Sequence, residues 1–64
     1  MDYQVRYRAI RDDKIMCEVV ALNEHRQPTG PVVAMGRGNS KAEAAAAALA
    51  SATDPDVRKA LGAV

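Results

Sequence analysis

Gly36-Arg37-Gly38-Asn39-Ser40-Lys41-Ala42-Glu43-Ala44, running on through alanines to Ala52, is the stretch on which the fold turns. Ser followed three residues later by Glu is a capping box: the Ser40 hydroxyl accepts from the Glu43 amide while Glu43 reaches back. Alanine has the highest helix propensity, so Lys41 to Ala52 is predicted as a helix. Its small side chains permit close approach to a sheet. Upstream, Val32 to Met35 reads as a short strand. Pro31, which has no amide hydrogen to donate to a ladder, suits the first residue of a strand. Gly36 to Asn39 is expected to be a tight connection. Downstream, Asp54 is a second N-cap with Pro55 in the first turn, and Asp56 to Leu61 forms a short helix stopped by Gly62.

Working outward to the N-terminal half, Tyr3 to Ile10 alternates with period two, which is the strand signal. Arg11-Asp12-Asp13-Lys14 is a polar break, and Ile15 to Leu22 is a second β-rich run. Together they read as an antiparallel hairpin. With Asp12 and Asp13 as the loop, the simplest register pairs Tyr3–Leu22, Val5–Val20, Tyr7–Glu18 and Ala9–Met16 on the core face. It leaves Gln4–Ala21, Arg6–Val19, Arg8–Cys17 and Ile10–Ile15 on the other. A loop of odd length moves one strand to the opposite parity. Asn23 to Gly30 has loop composition.

Composition bounds the function. The chain has 64 residues and is read as a single domain, 1–64, with twelve Leu, Ile and Val, no Phe or Trp, and Tyr3 and Tyr7 as its aromatics. The core must be thin, so a marginal monomer or help from a partner is expected. Nine Lys/Arg against eight Asp/Glu give a net charge of +1, unlike a strongly basic tail. No apolar run approaches the ~18 residues of a membrane span. The strand pattern starts at Tyr3, so no signal peptide is expected and the location is read as cytoplasmic. One Cys and one His, Cys17 and His25, are too few for a zinc site. Catalysis has little to work with. Asp12 and Asp13 are adjacent turn residues, and Gly36-x-Gly38 lacks the third glycine and the parallel context of a dinucleotide site. Neither an enzyme, a cofactor nor a small-molecule substrate is expected.

The run from Gly36 to Ala44, with Ala47-Ala48, resembles the C-terminal half of a double-stranded RNA-binding domain. That family ends its third strand in a G-x-G-x-S-K-K-x-A-K pattern leading into an Ala-rich helix, and Tyr3 is similar to its tyrosine at the first strand. The resemblance spans about Tyr3 to Ala52. It implies three antiparallel strands and a helix, and a phosphate grip at the helix start. The sequence departs from the family where RNA is held. Only Met1-Asp2 precede the first strand, where the family has a helix. The first loop is Arg11-Asp12-Asp13-Lys14 rather than a Gly-Pro-x-His element. Of three helix-start lysines only Lys41 is present, beside Ala42 and Ala45. In outline the chain is also similar to the three-stranded arm-binding domain of phage integrases and to small antitoxins with a partial RNase H-like fold.

The fold class expected is α+β: a three-stranded antiparallel sheet packed on one Ala-rich helix, followed by a short terminal helix. Two functions are carried forward. In the first, a small nucleic-acid-binding protein contacts the phosphates of an RNA or DNA duplex. Arg37 and Lys41 would sit together at the helix start, with Arg6 and Arg8, two apart on one strand face, as further contacts. In the second, a protein–protein module (an inhibitor, antitoxin-like cover or phage-type regulator) acts through the sheet face or edge. A homodimer fits this second reading, with Ile10, Ile15, Cys17 and Val19 as an exposed apolar strip.

Overall fold

Alternating apolar residues at Tyr3, Val5, Tyr7 and Ala9 give β1, Tyr3–Arg11, and the β-rich run after the acidic turn gives β2, Lys14–Ala21. A computed structural model describes residues 2–62 of the chain; Met1, Ala63 and Val64 lie outside it. β3 spans Val32–Gly38, α1 Lys41–Ser51 and α2 Pro55–Ala60. The strands form one antiparallel sheet in the order β1-β2-β3. The fold is α+β, three antiparallel strands packed against a helix, with a short C-terminal helix.

The Ser40 hydroxyl accepts from the Glu43 amide at 3.2 Å, so the Ser40 half of the box forms, while among the described residues the Glu43 carboxylate makes no return bond to the Ser40 amide. At the far end, Arg58 of α2 donates to the Leu49 and Ala52 carbonyls at 3.0 and 3.2 Å. These lie at the end of α1, where helical carbonyls run out of amide partners; the Leu49 carbonyl also accepts from the Ala52 amide at 3.2 Å. Asp54 caps α2 through the Asp56 amide at 2.8 Å.

Two expectations are corrected. Gly36-Arg37-Gly38 is not a connection but the end of β3. Neither glycine has a positive φ; both are needed because the helix lies directly on them. A Cβ on Gly36 would stand 2.1 Å from the Ala48 nitrogen and 2.6 Å from the Ala44 carbonyl oxygen. One on Gly38 would stand 2.7 Å from the Ala44 nitrogen. Ala44 and Ala48, both fully buried, complete this contact together with Cys17.

The second correction is the hairpin register. Asp12-Asp13 do form the turn and Arg11 pairs with Lys14, but a bulge leaves Ile10 unpaired and puts Ala9 opposite Ile15. Every pair beyond it shifts by one: Tyr7 faces Cys17, Val5 faces Val19 and Tyr3 faces Ala21. The physical reason is Glu18. In the simpler register it would lie beneath an alanine helix, where an unpaired carboxylate is costly. With the bulge it turns to the other face, between Arg6 and Arg8. Cys17 and Val19 therefore belong to the core, each 0% exposed, and the apolar strip expected of a homodimer is not on the surface.

The rest of the core joins Val19 and Ala34 to Ala52 and Val57, with Tyr3, Val5 and Leu61 packed around them. α2 thus covers the end of β1 that α1 does not reach. Both sheet edges are interrupted. β1 carries the Ile10 bulge, and β3 has a register shift between its pairings to Val19 and Val20, with Val33 as the extra residue. The Ser51 hydroxyl donates to the Ala48 carbonyl of its own helix at 2.9 Å, with the Met35 carbonyl of β3 a longer alternative acceptor at 3.2 Å.

Two substitutions separate the local from the global contribution. Ser40→Ala removes one cap and is expected to cost about 1 kcal/mol, read as a melting point lower by several degrees. Gly36→Ala places a methyl inside the helix backbone and is expected to abolish the cooperative melting transition, followed by circular dichroism. A native melt for Gly36→Ala would show that the helix does not sit on the strand as described.

Candidate nucleic-acid interface

Because Gly36 and Gly38 face the helix, Arg37 between them faces away from it. Its register partner is Met16, which in turn pairs with Arg8, so Arg8–Met16–Arg37 make one row across the open face of the sheet. The next row is Arg6–Glu18–Met35, and beyond it Gln4, Val20 and Val32 continue the same face. At the hairpin end, Ile10, Arg11, Lys14, Met16, Arg37 and Gly38 line a shallow depression. Three of these are cations, set around an apolar floor. Five of the nine Lys and Arg residues thus gather on the open face and its hairpin end.

Glu18 is the one acidic residue in the strand rows of that face, 5% exposed. Its carboxylate accepts from Arg6 Nε at 3.1 Å and meets Arg8 Nη2 at 3.5 Å. Both arginine side chains of β1 thereby lean inward over the central strand and cover the Glu18 carboxylate. Arg37 has no acidic partner within 4.0 Å among the described residues. Lys14 is tied to Asn39, its ammonium donating to the side-chain oxygen at 2.7 Å.

Lys41 is elsewhere. Its ammonium lies 5.6 Å from the centre of the Tyr7 ring, a cation–π contact on the helix side of the sheet. The expected pairing of Arg37 with Lys41 at the helix start is therefore not formed, because strand alternation sends Arg37 through to the opposite face. Arg37 joins Arg6 and Arg8 instead. Arg11 and Lys14, which line the same depression, carried no signal beyond turn composition. Only the bulge and the length of β3 bring them beside Arg37.

The loop between β2 and β3 is organised by Asn23, whose side-chain oxygen accepts from the His25 and Gln27 amides at 2.9 Å each. Arg26 there adopts a left-handed φ of 62° and pairs with Asp2 at 2.8 Å. His25 is exposed, far from the buried Cys17 in character and setting. Among the described residues, no three His, Cys, Asp or Glu side chains gather to hold a metal. No helix is long and apolar enough to cross a membrane.

No protein-family model, curated protein or solved structure matches the chain.

Burial pushes the Cys17 thiol above its ordinary pKa, against a hydrogen bond with Tyr7 that lowers it, while Glu18 adds to the rise. The reactive species is the thiolate, so Cys17 should be inert while the chain is folded. The expected outcome is negligible labelling by a disulfide reagent at pH 7.5 and complete labelling in denaturant. Rapid labelling of the folded protein would contradict the packing of α1 over β2.

Proposed function

We propose that the chain binds nucleic acid through the open face of its sheet, with Arg37, Arg8 and Arg6 as contacts and Arg11 and Lys14 extending them. The observation that carries this reading is the clustering itself. A protein of net charge +1 places five cations around one face; the acidic residue among the strand rows is buried beneath two of them, while Asp12 and Asp13 stand at the turn between Arg11 and Lys14 and leave Arg6, Arg8 and Arg37 as the cations that carry the reading. Such a surface attracts a polyanion although the molecule as a whole is almost neutral. The outline shared with double-stranded RNA-binding domains supports the same class of ligand. The cations, however, stand on the face opposite the helix. Lys41, which that resemblance singles out, is proposed to act in packing against Tyr7 rather than in binding.

A second reading has its own observation. Val32, Val33 and Met35 are 37%, 43% and 52% exposed along β3, an apolar margin that suits a protein contact. The register shift at Val33 weighs against simple strand addition there, so the nucleic-acid reading stands first.

With three to five phosphate contacts, the slope of log affinity against log salt on duplex DNA should be roughly −3 to −4.5. Arg37→Ala should weaken binding to all sequences about equally and flatten that slope by about one. Lys41→Ala and Lys59→Ala should leave the slope unchanged. Fluorescence anisotropy across a salt series measures all of these. Absence of binding to any duplex or single strand at low salt ends this reading in favour of the apolar margin. Equal losses for Lys41→Ala and Arg37→Ala move the contact surface to the helix start.

A further inference from the structure

We infer that the chain associates with a second copy of itself by antiparallel pairing of β1 with β1 across a two-fold axis at Val5. This goes beyond the nucleic-acid reading and does not depend on it. The first observation is the state of the edge. β1 lies at the margin of the sheet, and the Ile10 bulge sits at its turn end, so Tyr3 to Ala9 form an unbroken outer edge. On β3, by contrast, the extra residue Val33 interrupts the ladder. An exposed, regular edge is a template for a further strand.

The direction of the free backbone groups follows from the register. The Leu22 amide donates to the Asp2 carbonyl at 2.9 Å, which continues the ladder beyond the pair Tyr3–Ala21. Asp2 therefore turns its backbone toward β2, and by antiparallel alternation so do Gln4, Arg6 and Arg8. Tyr3, Val5, Tyr7 and Ala9 turn their amides and carbonyls outward. The side chains of these four point to the helix side, where α1 lies chiefly over β3 and β2 and α2 covers the Tyr3 end. Tyr7 is left 39% exposed and Val5 half-buried.

Charge selects both the occupant and the register. Pairing centred on Val5 sets Asp2 of one copy against Arg8 of the other and Gln4 against Arg6 on the open face, and Tyr3 against Tyr7 on the helix side. Opposite charges and aromatic rings directly across antiparallel strands attract. Centring on Arg6 would set that guanidinium against its own copy, and centring on Tyr7 would set Arg6 against Arg8; like charges so placed repel. Within one chain Asp2 pairs with Arg26 and Arg8 meets Glu18, but Asp2 and Arg8 are both exposed and keep room for a second partner. The contact is isologous, the same patch serving both copies. It makes one sheet of twice the width with the helices of both copies on one side, and it supplies cover that a thin core lacks.

The test is sedimentation of the full chain from micromolar to millimolar concentration, with the folding of each variant checked by circular dichroism. A reversible monomer–dimer equilibrium is expected. Asp2→Arg and Arg8→Asp should each weaken it about tenfold, because each change acts twice across the axis, and the double variant should restore it. Arg8→Asp also takes a partner from Glu18, so a cross-link that leaves every charge in place gives a second measurement. Val5→Cys brings two thiols together at the axis, at the ~5.5 Å Cα separation of a hydrogen-bonded pair, which a disulfide spans. Mild oxidation should then give a covalent dimer, the native Cys17 being buried. Ala9→Cys, remote from the axis, should not cross-link. A monomer at every concentration overturns the inference. So does a dimer that the charge exchange does not restore, or one that cross-links through position 9 as readily as through position 5.

Discussion

The contact of α1 with β3 at zero side-chain distance governs everything else in this molecule. Gly36 and Gly38 let the helix backbone settle onto the strand, and Ala44 and Ala48 let the strand settle onto the helix. A thin core with no Phe or Trp can still exclude water when its two layers meet this closely. The cost is tolerance, since even a methyl group has nowhere to go.

That contact also decides what the other face presents. Strand alternation sends the residue between the two glycines outward, and it is an arginine. The pairing to β2 places Met16 next to it and, one strand further, Arg8. The bulge at Ile10 brings the rest of β1 into step, so that its apolar residues meet Cys17 and Val19 while its arginines meet Glu18. Core packing and surface charge are two readings of a single register.

The elements were legible in the sequence. Period-two alternation marked β1, Ser40 and Glu43 marked the start of α1, and Asp54-Pro55 marked α2. The register was not, because a bulge leaves no local signature: nothing around Ile10 distinguishes an unpaired residue from a paired one. The deciding information was the non-local conflict of Glu18 with the helix. The end of β3 was misread for a related reason. Glycines suggest turns, and their use for close approach becomes visible only when the covering helix is placed. Arg6, Arg8, Arg37 and Lys41 were all visible as candidates. Their grouping depends on parity, so Lys41 separated from the others once parity was known.

The interrupted strand edges change what endangers this protein. A fibre grows by copying an exposed strand, and a copied strand needs an unbroken ladder of backbone groups. On β3 the ladder is broken by the unpaired Val33, whereas on β1 the bulge lies at the turn end and Tyr3 to Ala9 run without a break. The folded molecule is therefore a poorer template along β3 than along β1. Opened chains add a second route to aggregation, since in a domain with so little core a loss of one or two kcal/mol multiplies the opened fraction several-fold.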